Sequence, residues 1–183
     1  MFQPLRLIPV VFAVAVGFTA NADAAVMQQL SMDQMTQSAS AIVRARVTGS
    51  SASIYTTGGS STIYTHYRLA VSEIWKGSTA VEVMLPGGDF NGQKQSFPGV
   101  PELKIGGEYV LFLWKSPSTG IVHTIGLTQG IFEVAAKSDG TVHASRRVSG
   151  EVMLDATGHR VADQAIDLKL SDMKTRVSPG ASK

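Results

Sequence analysis

The stretch VPELKIGGEYVLFLWK, Val100 to Lys115, decides the fold. Two prolines, Pro98 and Pro101, limit the turn that leads into it, and a glycine pair, Gly106-Gly107, follows. Tyr109 to Trp114 are then uninterruptedly apolar. Six consecutive apolar residues after a turn signal read as a strand covered on both faces. It is expected at the centre of a sheet, with the rest of the chain packed around it.

Upstream, Ala80 to Leu85 alternates as a strand, with Val81, Val83 and Leu85 inward and Glu82 and Met84 outward. Pro86-Gly87-Gly88 stops it, and Asp89 to Pro101 is expected to be irregular. Further back, Tyr64 to Trp75 reads as a long strand with Tyr67, Leu69 and Val71 on its apolar face. Its phase breaks where Glu73 falls on that face and Ile74 on the other, which calls for a β-bulge near Ser72-Glu73. The Gly, Ser and Thr-rich segment Gly49 to Ser61 reads as a loop or a hairpin tip around Gly58-Gly59. Ala41 to Thr48 is a half-buried strand, with Val43, Ala45 and Val47 inward. Before it, Leu30-Ser31-Met32-Asp33-Gln34-Met35 opens a helix. Ser31 is the cap, Gln34 its capping-box partner, and Leu30 and Met35 form a hydrophobic staple. Met32, Met35 and Ala39 share one face of that helix.

Downstream, strands are expected at Ile121 to Leu127 and Ile131 to Ala135, and at Thr141 to Ser145 after the Asp139-Gly140 hairpin signal. Gly150 to Asp163 carries no decisive pattern. A second helix is expected from Leu170-Ser171, with Ser171 as cap, Leu170, Met173 and Val177 on one side, and Lys174 and Arg176 near its C-terminal end. Ser178 to Lys183 reads as a frayed tail. Short strands, glycine punctuation and helices only at the two ends predict a mainly β domain, a small barrel or sandwich spanning residues 25–177.

The first 24 residues read as an export signal. Arg6 supplies the charge, Leu7 to Phe18 an apolar stretch too short to span a bilayer, and Ala22-Asp23-Ala24 the small-x-small pattern before cleavage at Ala25. The expected location is periplasmic or extracellular, with no membrane span after cleavage. The 183 residues include no cysteine, so no disulfide and no lipid-bearing cysteine is available, and the core alone must hold the domain. A net charge of +2, without basic runs interleaved with aromatics, argues against nucleic acid as a partner.

The ordered series SASAIVRARVTG, YTHYRLAVSEIWKG, VMLPGG, GVPELKIGGEYVLFL and GLTQGIFEV resembles a family of exported bacterial proteins with no assigned activity. The resemblance covers about Leu30 to Val134 and brings no catalytic residues with it. More distantly, the order of elements resembles the netrin-like, TIMP-like barrel, a variant of the OB-fold. That likeness implies an OB-like barrel. It does not carry over the inhibitory chemistry, which needs an N-terminal cysteine that this chain lacks.

No catalytic constellation and no cofactor motif stands out. His66, His123, His143 and His159 are not at metal-ligand spacing, and no metal site is expected. Asp89-Phe90-Asn91-Gly92 resembles part of a calcium loop without its further acidic positions. The serines at Ser50 to Ser53 and Ser60-Ser61 are explained by turn chemistry, and Arg146-Arg147-Val148-Ser149 by a solvated strand end. The candidate site is therefore the loop that feeds the central strand. Asp89, Phe90, Asn91 and Phe97 form a possible partner-binding loop, although Phe90 and Phe97 more commonly plug one end of such a barrel. The expected function is non-enzymatic binding of a protein or a cell-surface polymer. Two alternatives stand beside it: inhibition of a secreted protease through a barrel loop, and a hydrolase whose site is assembled from scattered residues such as His66, His123 and Asp89.

Overall fold

The computed structural model describes residues 26–178, apart from 58, 98 and 150. The export signal and the residues after Ser178 lie outside the described residues. In chain order the elements are β1 (Val26–Gln28), α1 (Met32–Ser38), β2 (Ala41–Thr57), β3 (Ser60–Gly77), β4 (Glu82–Pro86), β5 (Gly88–Phe90), β6 (Gln93–Gln95), β7 (Glu108–Lys115), β8 (Val122–Thr124), β9 (Ile131–Ala136), β10 (Val142–Arg146), β11 (Val152–Leu154), β12 (Arg160–Val161), β13 (Ile166–Lys169) and α2 (Leu170–Val177). The chain is mainly β with a short helix near each end.

An eight-stranded sheet carries the fold in the order β13-β10-β9-β7-β2-β3-β4, with β8 added to β7. The central strand is the expected one. Tyr109, Leu111 and Leu113 enter one core with Val43, Ala45, Leu69, Val83 and Leu85. Val110 and Phe112 enter a second core on the opposite face, with Met35, Trp75, Phe132 and Met173. Both faces of β7 are thus filled from Tyr109 to Leu113. Trp114 departs from the expectation: it is 43% exposed and lies against His123 of β8 instead of entering either core.

No closed barrel is found among the described residues, because the hydrogen-bonded order ends at β4 and at β13. The sheet nevertheless curls far enough to bring β4 near β8. Side chains span that gap: the rings of Tyr64 on β3 and His123 on β8 have centroids 6.1 Å apart.

The helices cover the second core. In α1, Ser31 accepts a hydrogen bond from the Gln34 backbone at 3.1 Å while the Gln34 side chain accepts from the Ser31 backbone at 2.8 Å. Met32, Met35 and Ala39 are buried as their spacing predicts. In α2 the cap is different. β13 runs straight into the helix, Lys169 takes the N-cap position without a side-chain bond, and Ser171 lies inside the first turn. Gln129, 2% exposed, pins the segment before α1 by accepting from the Leu30 N–H and donating to the Gln28 carbonyl.

The bulge in β3 is present. Arg44 pairs with Glu73 and Ala45 with Val71, leaving Ser72 as the extra residue. A second irregularity leaves Trp75 between the pairs Val43–Ile74 and Ile42–Lys76. These shifts turn Glu73 and Trp75 to the helix side, where Trp75 is buried and Glu73 meets Lys174 and Arg44.

Three expectations are corrected, and one unassigned region is filled in. Gly49 to Thr57 is strand, not loop, since each residue from Gly49 to Thr57 has a partner on β3. The local turn preference of Ser and Gly yields to a continuous antiparallel ladder. Asp89 to Pro101 is not wholly irregular: β5 and β6 form a small hairpin whose Asn91 and Gly92 both have positive φ, 52° and 79°, the geometry of a tight two-residue turn. On β4, Val83 and Leu85 are inward, but Val81 precedes the ladder and is exposed, while Met84 is buried because Tyr55 and His66 close over the outer face. Finally, residues 152–154 pair in parallel with β1 and in antiparallel with β12, and 166–169 form an edge strand that the sequence reading leaves unassigned.

Candidate functional site

The long β2–β3 hairpin extends beyond the helix-covered part of the sheet, and its two faces carry different chemistry. Alternation dictates this: Ile63, Thr65 and Tyr67 point to one side, and Tyr64 and His66 to the other.

On the first face, the β5–β6 hairpin and the segment leading to Pro101 lie across the strands and leave a cleft of about 540 Å³. The hairpin is held there by polar bonds. Gln95 accepts from the Ile63 N–H at 2.7 Å, the Gly87 N–H donates to the Ile63 carbonyl at 2.7 Å, and the Thr65 hydroxyl donates to the Gly87 carbonyl at 2.8 Å. Gly88 has a φ of +134°, and a side chain there would strike Thr65 Oγ1 at 2.4 Å. The Pro-Gly-Gly stop is therefore also the joint that lets the hairpin lie on β3.

Two of the four expected site residues, Asp89 and Phe97, line this cleft; Phe90 and Asn91 do not. Phe97 is 40% exposed, and neither phenylalanine belongs to a core cluster. Asn91 stands at the hairpin tip. The cleft mixes Ser50 and Thr65 hydroxyls, the Gln95 amide, Lys94, and the carboxylates of Asp89 and Glu102 with the Phe97 ring. Tyr67 also lines it, and burial pushes its hydroxyl above the usual phenol range despite an opposing bond to the Leu103 backbone. It therefore remains a neutral phenol at physiological pH.

On the second face, Ser53, His66 and Glu82 form a relay across three adjacent strands. The Ser53 hydroxyl lies 2.6 Å from His66 Nε2, and Glu82 Oε1 lies 2.8 Å from His66 Nδ1. Tyr55 stacks on the His66 ring at 6.0 Å. A row of rings continues from there: Tyr55 to Tyr64 at 5.6 Å, Tyr64 to His123 at 6.1 Å and His123 to Trp114 at 6.2 Å. Burial holds the His123 imidazole below its ordinary range, against a weaker upward pull from the Met84 backbone, so this ring between Tyr64 and Trp114 is neutral at pH 7. The sequence reading missed Ser53 because it placed that residue in a turn. The signal that could have found it is the alternation of Ser53, Tyr55, Tyr64 and His66 across a hairpin with its tip at Gly58-Gly59.

The residues named for a scattered hydrolase site do not converge. His66 and His123 share the aromatic face, whereas Asp89 lines the cleft on the other. His143 pairs with Asp167 at 2.6 Å, and His159 sits in an exposed turn with Thr157 and Asp155. Among the described residues no group of three His, Cys, Asp or Glu could hold a metal ion. Asp89 to Gly92 form a hairpin turn and not a calcium loop. Arg146 is not at a solvated strand end: it is 8% exposed and donates to Asp163 Oδ1 at 2.8 Å, with Ser149 on the same carboxylate. Burial pushes the Asp163 carboxyl up, but the Arg146 and Ser149 bonds outweigh it and the net shift is downward.

Among the described residues no helix is long and apolar enough to cross a membrane. In comparison with known proteins, the chain matches no protein-family model and no curated protein.

Proposed function

We propose that the chain is an exported binding domain whose cleft between the β2–β3 hairpin and residues 86–102 takes a neutral, hydroxyl-rich polymer of the cell surface. The observation that carries this reading is the meeting of Asp89 and Phe97 in one cleft with Ser50, Thr65 and Gln95. A saccharide chain offers both donors and acceptors, and the carboxylates, hydroxyls and amide answer them; the exposed phenyl ring covers an apolar sugar face. The lining has two carboxylates and one ammonium, a poor match for a polyanion. Export is supported by the apolar stretch Leu7 to Phe18 and the Ala22-Asp23-Ala24 pattern. The finer fold reading, an OB-like barrel of the kind the order of elements resembles, is supported by the approach of β4 to β8, which leaves β4-β3-β2-β7-β8 curled around the first core.

The test is retention of the purified protein on a panel of immobilised surface polysaccharides, beside capture of proteins from periplasm and medium. Retention on one or more polymers is expected, reduced at least about tenfold by Phe97→Ala and by Asp89→Asn, in keeping with the loss of an anchoring contact. Asn91→Ala, at the tip, should leave it unchanged. No retention above a variant with residues 89–97 shuffled would overturn the reading, and capture of a protein alone would replace the polymer with that protein.

A further inference from the structure

We propose that Ser53, on the face opposite the cleft, is a nucleophile activated by His66 and oriented through Glu82, and that it accepts acyl groups from carboxylic esters. The proposal rests on none of the cleft residues and departs from the expectation of a purely non-enzymatic chain.

The atoms are matched to that chemistry in the order acyl transfer requires. Glu82 is bonded to Nδ1 and the serine hydroxyl to Nε2. A proton on Nδ1, donated to the carboxylate, leaves the Nε2 lone pair facing Ser53 Oγ at 2.6 Å. The imidazole cannot easily turn away: Tyr55 stacks on one face, and the side chain is only 13% exposed. Ser53 itself is half-buried and remains reachable. A structural cross-strand bond would need only one of these two contacts. The three residues come from β2, β3 and β4 and sit on rigid, paired strands, which hold such a constellation better than loops do.

The step balances without any further reagent. Ser53 Oγ adds to the ester carbonyl carbon as its proton passes to His66 Nε2. The bond to the leaving alkoxide breaks, the alkoxide takes that proton from the imidazolium, and the acyl group stays on Ser53. Water then adds to the acyl carbon, gives its proton to His66, and displaces Ser53, which recovers the proton as the carboxylic acid departs. Glu82 stabilises the imidazolium in both halves and is a positioning residue. Tyr64 lies directly across from Ser53, and Met84 across from His66. With Tyr55 they give the site apolar borders suited to a short apolar acyl group.

The test is covalent labelling of the purified protein with p-nitrophenyl acetate and with a fluorophosphonate, read by peptide mass spectrometry. One adduct is expected, on the peptide carrying Ser53, absent in Ser53→Ala and slowed at least about 100-fold in His66→Asn, the range of general-base contributions. Glu82→Gln should fall between wild type and His66→Asn with an unchanged thermal midpoint. Because the chain has no cysteine, Ser53→Cys gives an independent measurement: its iodoacetamide rate should exceed that of Ser50→Cys on the cleft face at least about tenfold, and should depend on His66. An adduct spread evenly over Ser50, Ser53 and Ser61, no adduct at all, or a rate unaffected by His66→Asn would overturn the proposal, as would equal alkylation of the two cysteine variants.

Discussion

The two halves of the β2–β3 hairpin are built on different terms. Near β7, the strands lie between two apolar cores and a layer of helices, and almost every inward residue is fully buried. Beyond Val47, β2 has β3 as its ladder partner but no longer β7, and from Ser50 to Thr56 none of its residues is buried; hydroxyls stand on both faces of the hairpin, and the His66 imidazole on the face opposite the cleft. The first half holds the fold by area removed from water. The second is held by its register and by polar bonds, and it carries both candidate sites. Stability and chemistry are thus separated along a single hairpin.

That contrast can be broken by measuring where substitutions are felt. The largest effect should come from Phe112→Ala, which removes a fully buried ring packed on Phe132 at 5.7 Å. A loss of about 3–5 kcal/mol in denaturant unfolding is expected, and a loss below 1 kcal/mol would mean that the central strand is not the keystone. Arg146→Ala comes next. It strands the Asp163 carboxylate, whose side chain is 3% exposed, and should cost about 3–5 kcal/mol, whereas Arg146→Met with Asp163→Leu should recover most of it. Gln129→Ala, leaving the Leu30 N–H and Gln28 carbonyl without their partner, should cost about 1–3 kcal/mol.

A smaller effect is expected from acid. Glu73 is held down to about 2 by bonds from Lys174, Arg44 and the Trp75 indole, in that order. Its folded value lies below its unfolded one, so its contribution is present above the ordinary carboxylate range and is lost as pH falls from about 4.5 to about 2. Solvent screening at this partly exposed site reduces that contribution to roughly 1 kcal/mol. Glu73→Gln should flatten the unfolding curve in that window, and an unchanged slope would remove the network from the account. The smallest effect belongs to the outer hairpin: Thr56→Ala, which loses one exposed bond to Ser61, should stay within about 0.5 kcal/mol. A cost like that of Phe112→Ala would erase the difference between the halves.

The same division explains what the sequence reveals. Where residues are apolar on a period, as in Val43-Ala45-Val47 or Tyr109 to Leu113, pattern and environment coincide and the strands can be read directly. The phase break at Ser72 was legible for the same reason, since the burial pattern before and after it disagreed. The outer hairpin was not. Its Ser and Gly residues favour turns in isolation, and only the partner strand, supplied by the fold, makes them extended. Asn91-Gly92 was a readable turn signal, outweighed by the surrounding prolines and glycines. The Ser53 relay depended on the register of three strands, which no single segment encodes. Phe90 and Phe97 stand out in the sequence because irregular connections carry exposed aromatics; that Asp89 and Phe97 line the cleft while Phe90 and Asn91 do not follows from how the small hairpin lies on β3.

The pairing of β1 with β11 has a kinetic consequence. Val26 meets Val152 in parallel, so one of the first described segments docks only when one of the last has formed. The β2–β3 hairpin can zip from its tip with almost no loop to close, whereas this contact must close a loop of about 125 residues. The N-terminal strand should therefore be the last piece to lock, and hydrogen exchange during refolding should find its amides unprotected after those of β2 and β3 are already slow.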